Sequence, residues 1–139
     1  MLVYLDSSAL LKRVILEDHS RALRKSVEAL EFGANELLTS TLGWIEVSRS
    51  LQRRFAEGTD GARGDLEAEA LSGIAGFPIS YDVVSVARRI GAPTIRSLDA
   101  IHCATATLAE ADILISYDKK MIEAAATMGL AVDSPGVST

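Results

Sequence analysis

Basic residues are in the minority, with 14 lysines and arginines against 19 aspartates and glutamates, a net charge of −5. That balance excludes general electrostatic coating of nucleic acid or anionic membrane, but not phosphate binding through a local arginine cluster or a cation. Cysteine is nearly absent. The single Cys103 cannot close an intrachain disulfide, and its place in a helical stretch suggests a small buried thiol in a reducing compartment, so the cytoplasm is expected. There is no run of about 18 apolar residues, so no membrane span is expected. Met1–Leu5 lacks a basic segment and meets Asp6 at once, which excludes a signal peptide reading. The glycine-rich stretch 57–64 is not followed by Gly-Lys-Ser/Thr, so it reads as a surface loop and not a phosphate-binding loop. No internal repeat or linker divides the chain. One domain is expected over residues 1–139, with 133–139 as a frayed tail.

What is present is an alternation of short apolar runs, acids and helical periods. Leu2–Leu5 reads as a buried strand ended by Asp6, with Ser7-Ser8 opening a helix through Ala9, Leu10, Leu11, Val14 and Ile15. A second helix, capped by Ser20, carries Leu23, Val27 and Leu30 inward and stops at Gly33. Leu37–Thr39 forms a second strand, and a helix follows with Leu42, Ile45, Leu51 and Phe55 on its apolar face and Glu46 in its early turns. Residues 65–75 and 82–90 read as two helices around a Gly76–Ser80 connection in which Phe77 and Ile79 pack beneath them, with a strand there as an alternative. Ser97 then caps a helix whose apolar face is Leu98, Ile101, Thr105, Leu108 and Ala111. Ile113–Ile115 is a strand ended near Asp118, and after a helix through Met121, Ile122, Ala125 and Met128, closed by Gly129, Leu130–Val132 is the last strand. Strand and helix alternate throughout, which implies an α/β fold with a mainly parallel sheet.

Asp6, Glu46 and Asp118 fall just beyond strand ends, and Asp99 opens a helix that can cross the same edge. Ligands of open parallel sheets bind at that edge. Neighbouring strands lie about 4.8 Å apart, so acids at adjacent ends can share a ligand. Carboxylates that close repel one another unless a cation compensates. An oxygen-rich set of this kind suits Mg²⁺ or Mn²⁺, which bind phosphates and can activate a water for in-line attack on a phosphodiester. Simpler roles stand beside this one, because Asp99 is also suited to the helix dipole and Asp118 to capping the next helix.

The stretches DSSAL at 6–10, IEV around Glu46, RSLDAIHCATA at 96–106 and ISYDKKM at 115–121 resemble the PIN domain, and more narrowly the VapC-type toxins of bacterial toxin–antitoxin pairs. The likeness runs from about residue 2 to 132. It implies a three-layer α/β/α sandwich, a Mg²⁺-dependent endoribonuclease for which Mn²⁺ can substitute, a homodimer, and a cognate antitoxin that blocks the site. Carried over by position, Asp6, Glu46, Asp99 and Asp118 match the family's metal-binding catalytic acids. Ser7 and Ser116 match hydroxyl positions that help to hold water and metal, with serine at 116 where threonine is more usual.

Other residues have plainer roles. Arg49, Arg53 and Arg54 form either a solvated helix face or a set of RNA phosphate contacts. His102 is expected to be a structural histidine and not a general base, His19 a solvated turn residue, and Trp44 a core or dimer-contact aromatic. Two alternatives to the nuclease remain. One is a signalling receiver with an acidic Mg²⁺ pocket, which needs a lysine opposite its phosphorylated Asp, whereas Lys119 and Lys120 directly follow Asp118. The other is a PIN-like module that binds RNA or a partner without cutting.

Overall fold

The computed structural model describes residues 1–55 and 60–138. Five strands make one all-parallel sheet: β1 (Leu2–Leu5), β2 (Glu36–Ser40), β3 (Ile74–Phe77), β4 (Ile113–Ile115) and β5 (Val132–Asp133). Their order is β3-β2-β1-β4-β5. The chain builds outward from β1 to one side, then crosses back to add β4 on the other. The point where the order reverses lies between β1 and β4, where Val3, Tyr4 and Leu5 pair with Ile113, Leu114 and Ile115. Crevices open at such a point, beyond the strands' carboxyl ends.

Helices α1 (Ser7–Lys12), α2 (Ser20–Phe32), α3 (Thr41–Arg54), α4 (Asp60–Leu71), α5 (Tyr81–Ala87), α6 (Ser97–Leu108) and α7 (Lys119–Thr127) supply the outer layers. Successive strand side chains point to opposite faces, so β1 serves two cores. Val3 and Leu5 meet Ala9, Leu10, Leu23, Val27, Val47, Leu51 and Ala70 from α1 to α4. Tyr4 meets Cys103 and Ala106 of α6 and Met121, Ala124 and Ala125 of α7. The result is the expected three-layer sandwich.

Several local expectations are corrected. Asp60–Gly64 belongs to α4 and is not loop, while 57–59 of the expected loop lie outside the described residues. The helix expected over 65–75 stops at Leu71, because Gly73 turns the chain at φ +74° and Ile74–Phe77 pairs with β2. Helix α5 ends at Ala87 and not at 90. Ser20 does not cap α2. That position is His19, at φ 69°, while the Ser20 hydroxyl accepts from Glu17 N–H and donates to Ile15 O. On α3 the inward residue is Val47, and Ile45 faces out.

Helix α6 is rotated from the expected face. Asp99, Ala100, His102, Cys103, Ala104, Thr105 and Ala106 are buried, whereas Leu98 is half exposed. Small side chains let this helix lie close to the sheet. Burial pushes the Cys103 thiol up to about 12, so it is the inert buried thiol expected. The tail is also more ordered than expected. Asp133 lies in β5, the Ser134 hydroxyl donates to Ser116 O at 2.6 Å, and Tyr117 Oη donates to Pro135 O at 2.8 Å.

Candidate active site

Asp6 closes β1 and caps α1. Its Oδ1 accepts from Ala9 N–H at 3.0 Å and Ser8 Oγ at 2.6 Å, and its Oδ2 accepts from Ser116 Oγ at 2.5 Å. A carboxylate has about four acceptor positions, so one remains. Burial raises its pKa, and these hydrogen bonds oppose the rise. Ser8 and Ser116 also bind the segment beyond β4, since Tyr117 N–H donates to Ser8 Oγ and Asp118 N–H to Ser116 Oγ, each at 3.0 Å. Two serines thus lock the ends of the central strands together.

Asp118 does what its plainer role proposed, with Oδ1 accepting from Lys120 N–H and Met121 N–H at the start of α7. It also lines the cleft. Asp99, in the first turn of α6, does more than balance a helix dipole. Its Oδ2 is buried and has no hydrogen-bond donor, and the nearest cation is the exposed Arg96 with Nε at 3.8 Å. Burial, and then the charge of Asp118, raise the pKa of Asp99. Ser97 does not cap this helix, because the cap position belongs to Arg96 and no side chain bonds there.

These acids share one cleft of about 330 Å³, lined by Asp6, Ser7, Ser8, Glu46, Arg96, Ser97, Leu98, Asp99, Asp118 and Met121. All four sequence-predicted acids are therefore brought together, and Ser7 with them. Ser116 is not at the surface of the cleft. It is fully buried behind it, its hydroxyl committed to Asp6 and Asp118. Arg49, Arg53 and Arg54 lie exposed along the later turns of α3 and are not among the cleft's lining residues, where the arginine is Arg96.

One further residue, and one link, escaped the sequence. Ser8 had a signal, because a hydroxyl two positions past a capping aspartate can fold back onto it. His102 bonds Glu46, with Nε2 at 2.5 Å from Oε1, and Tyr4, whose hydroxyl is 2.6 Å from Nδ1. It is structural, as expected, yet its partner is a cleft acid. His19 is exposed and stacks on Tyr117 with ring centroids 6.0 Å apart. Trp44 is half exposed and lies against Gly76 of β3.

The residues fit a hydrated divalent ion. Among the described residues, no three His, Cys, Asp or Glu side chains stand close enough to enclose an ion. The acids face a common space without forming a cage. Mg²⁺ keeps several waters and needs only one or two carboxylates, and the buried oxygen of Asp99, which has no hydrogen-bond donor, is a position that a cation would satisfy. The receiver alternative does not fit, because Lys119 and Lys120 are exposed on the first turn of α7 and no lysine lines the cleft.

The PIN domain family model matches residues 3–127, so the chain belongs to the PIN domain family. Within it the chain is a VapC-type protein. It is 33% identical to Ribonuclease VapC47 of Mycobacterium tuberculosis, over 97% of this chain and 98% of that one, and 34% identical to Ribonuclease VapC35 of the same organism over the same shares. The fold is similar to that in the VapBC2 structure from Rickettsia felis, with a TM-score of 0.77 and 13% identity over 97% of this chain and 99% of that one. It is likewise similar to Mycobacterium tuberculosis VapC20, described as a Sarcin-Ricin loop cleaving toxin, with a TM-score of 0.73 and 14% identity over 96% and 99%. No helix among the described residues is long and apolar enough to cross a membrane.

Proposed function

We propose that the chain is a Mg²⁺-dependent endoribonuclease, able to use Mn²⁺, that acts in the cytoplasm as the toxin of a toxin–antitoxin pair. The observation that carries this is the buried Asp99 Oδ2, which no hydrogen-bond donor reaches and which the exposed Arg96 approaches only to 3.8 Å, in a cleft shared with Asp6, Glu46 and Asp118. Such an arrangement is unfavourable for a metal-free protein and is relieved by a cation. These acids would hold the ion, with waters completing its shell. When bound, a divalent ion supplies an activated water and offsets the charge that develops on the scissile phosphate.

The chain's own side chains set the geometry. Asp6 is fixed by Ser8, Ala9 and Ser116, Asp118 by the start of α7, and Glu46 by His102. Arg96, exposed at the cleft, offers a cation to an RNA phosphate. RNA as substrate is supported by the ribonuclease names of the relatives, and an antitoxin partner by the VapBC assemblies among the structural neighbours. The exposed Trp44 and Ile45 of α3 and Tyr81 and Val84 of α5 support a homodimer that would cover them. Light scattering that finds a monomer at tens of micromolar overturns the dimer.

Incubation of total RNA with metal-stripped protein tests the activity. Cleavage is expected on adding Mg²⁺ or Mn²⁺, and none in excess EDTA. Undiminished cleavage in EDTA overturns the proposal, and failure of the product of an adjacent small reading frame to bind and inhibit the protein overturns the antitoxin part.

A further inference from the structure

Tyr4 is fully buried on β1, facing α6. Its hydroxyl accepts from Ser40 N–H, at the end of the neighbouring strand β2, at 3.1 Å. The same oxygen lies 2.6 Å from His102 Nδ1, and His102 Nε2 lies 2.5 Å from Glu46 Oε1. His102 is 1% exposed, so its ring cannot turn to solvent, and the edge-on Tyr4 ring at 5.8 Å holds its plane. A line of hydrogen bonds therefore runs from the sheet backbone to an acid of the cleft.

The hydrogens in that line follow from which groups can donate. An ionised carboxylate only accepts, so Nε2 must carry a hydrogen. The Tyr4 hydroxyl takes the Ser40 N–H on one side and meets His102 Nδ1 at 2.6 Å on the other, so the imidazole is tied at both nitrogens inside the core.

We propose that His102 is a positioning residue: an imidazole held at Nδ1 by Tyr4 that fixes Glu46 by Oε1 and leaves Oε2 to the cleft. This rests on the assignment of Glu46 as an ion-facing acid. The ring engages one carboxylate oxygen, so Glu46 is held in one place and keeps its other oxygen for a cation. Partners of this sort, one bond removed from a metal, set its affinity by about 10- to 100-fold.

The test uses the purified full chain with three readouts. Nitrogen-15 resonances of the His102 ring report which nitrogens carry a hydrogen, Mn²⁺ titration followed by paramagnetic resonance reports ion affinity, and metal-free melting reports the fold. The wild-type ring is expected to carry a hydrogen on Nε2, bonded to Glu46. Tyr4→Phe should loosen the ring and weaken Mn²⁺ binding by about 10-fold, and His102→Ala should weaken it at least as much. His102→Gln, whose amide can donate in place of Nε2–H, should recover most of the loss. A wild-type ring without a hydrogen on Nε2 overturns the proposal. So does Mn²⁺ affinity that stays at the wild-type level in Tyr4→Phe or His102→Ala, or a glutamine variant no better than the alanine. Should His102→Ala fail to fold, the wild-type ring and Tyr4→Phe still decide. A wild-type chain that binds no Mn²⁺ overturns the nuclease proposal and this one with it, whereas Mn²⁺ binding indifferent to both residues overturns this one alone.

Discussion

The Ser116 hydroxyl donates to Asp6 Oδ2 at 2.5 Å, joining residues 110 positions apart at the ends of adjacent strands. Ser116 Oγ in turn accepts from Asp118 N–H. One buried side chain thus fixes the spacing of two acids before any ion arrives.

Ser116→Ala removes a bond to a charged acceptor in a fully buried place. The expected loss is about 2 kcal/mol in metal-free denaturation, with weaker cleavage because Asp6 and Asp118 are no longer held together. Denaturant titration beside an RNA cleavage assay checks both. Unchanged stability would mean that the bond contributes nothing net.

The pKa values of Asp6 and Asp99 are raised from an ordinary value of 3.8. A carboxyl group raised in the folded state favours folding fully below that ordinary value, and its contribution is lost as pH climbs through the raised value. Melting temperatures of the metal-free chain should therefore fall on this account as pH rises from about 4, and Asp99→Asn should shallow the slope. Stabilisation by Mg²⁺ should grow over the same window, since the ion needs deprotonated ligands. A Mg²⁺ increment that is flat with pH would contradict carboxylate ligation.

A Cβ added at Gly76 would collide with the Trp44 indole. Gly76→Ala is expected to cost about 1–3 kcal/mol and to shift Trp44 fluorescence, because the ring must leave the surface of β3. Thermal melting followed by tryptophan emission checks this. An unaltered spectrum would show that the indole is held elsewhere.

Much of this was legible in the sequence. The run Leu2–Leu5, Asp6, Ser7, Ser8 announces strand, acid and helix in seven residues, and the apolar run before Asp118 does the same for β4. The rotation of α6 was not legible. Periodicity weighs Leu98 and Leu108 most heavily, whereas close approach to the sheet is decided by Ala100, Cys103, Ala104 and Ala106, whose small size carries little hydrophobic signal. The link from His102 to Glu46 spans 56 positions, and nothing local to either residue encodes it. The start of the strand after Leu71 was missed, because the left-handed turn at Gly73 that separates α4 from β3 leaves only a single glycine as its mark in the sequence.

The central claim is that the cleft acids are arranged for a cation and not for the fold, and Asp99→Asn separates the two most directly. An acid that only balanced the dipole of α6 would leave cleavage intact when replaced, and its loss would lower stability by at most about 1 kcal/mol. For an ion ligand the two effects diverge. Removing a charge from a buried oxygen without a donor, beside Asp118, relieves repulsion in the metal-free chain, while control of the ion is lost. Melting and RNA cleavage are to be measured on the same preparations. The expected result is a metal-free melting temperature unchanged or raised, with cleavage reduced by about 10²-fold or more. A lowered melting temperature with wild-type cleavage would contradict the account.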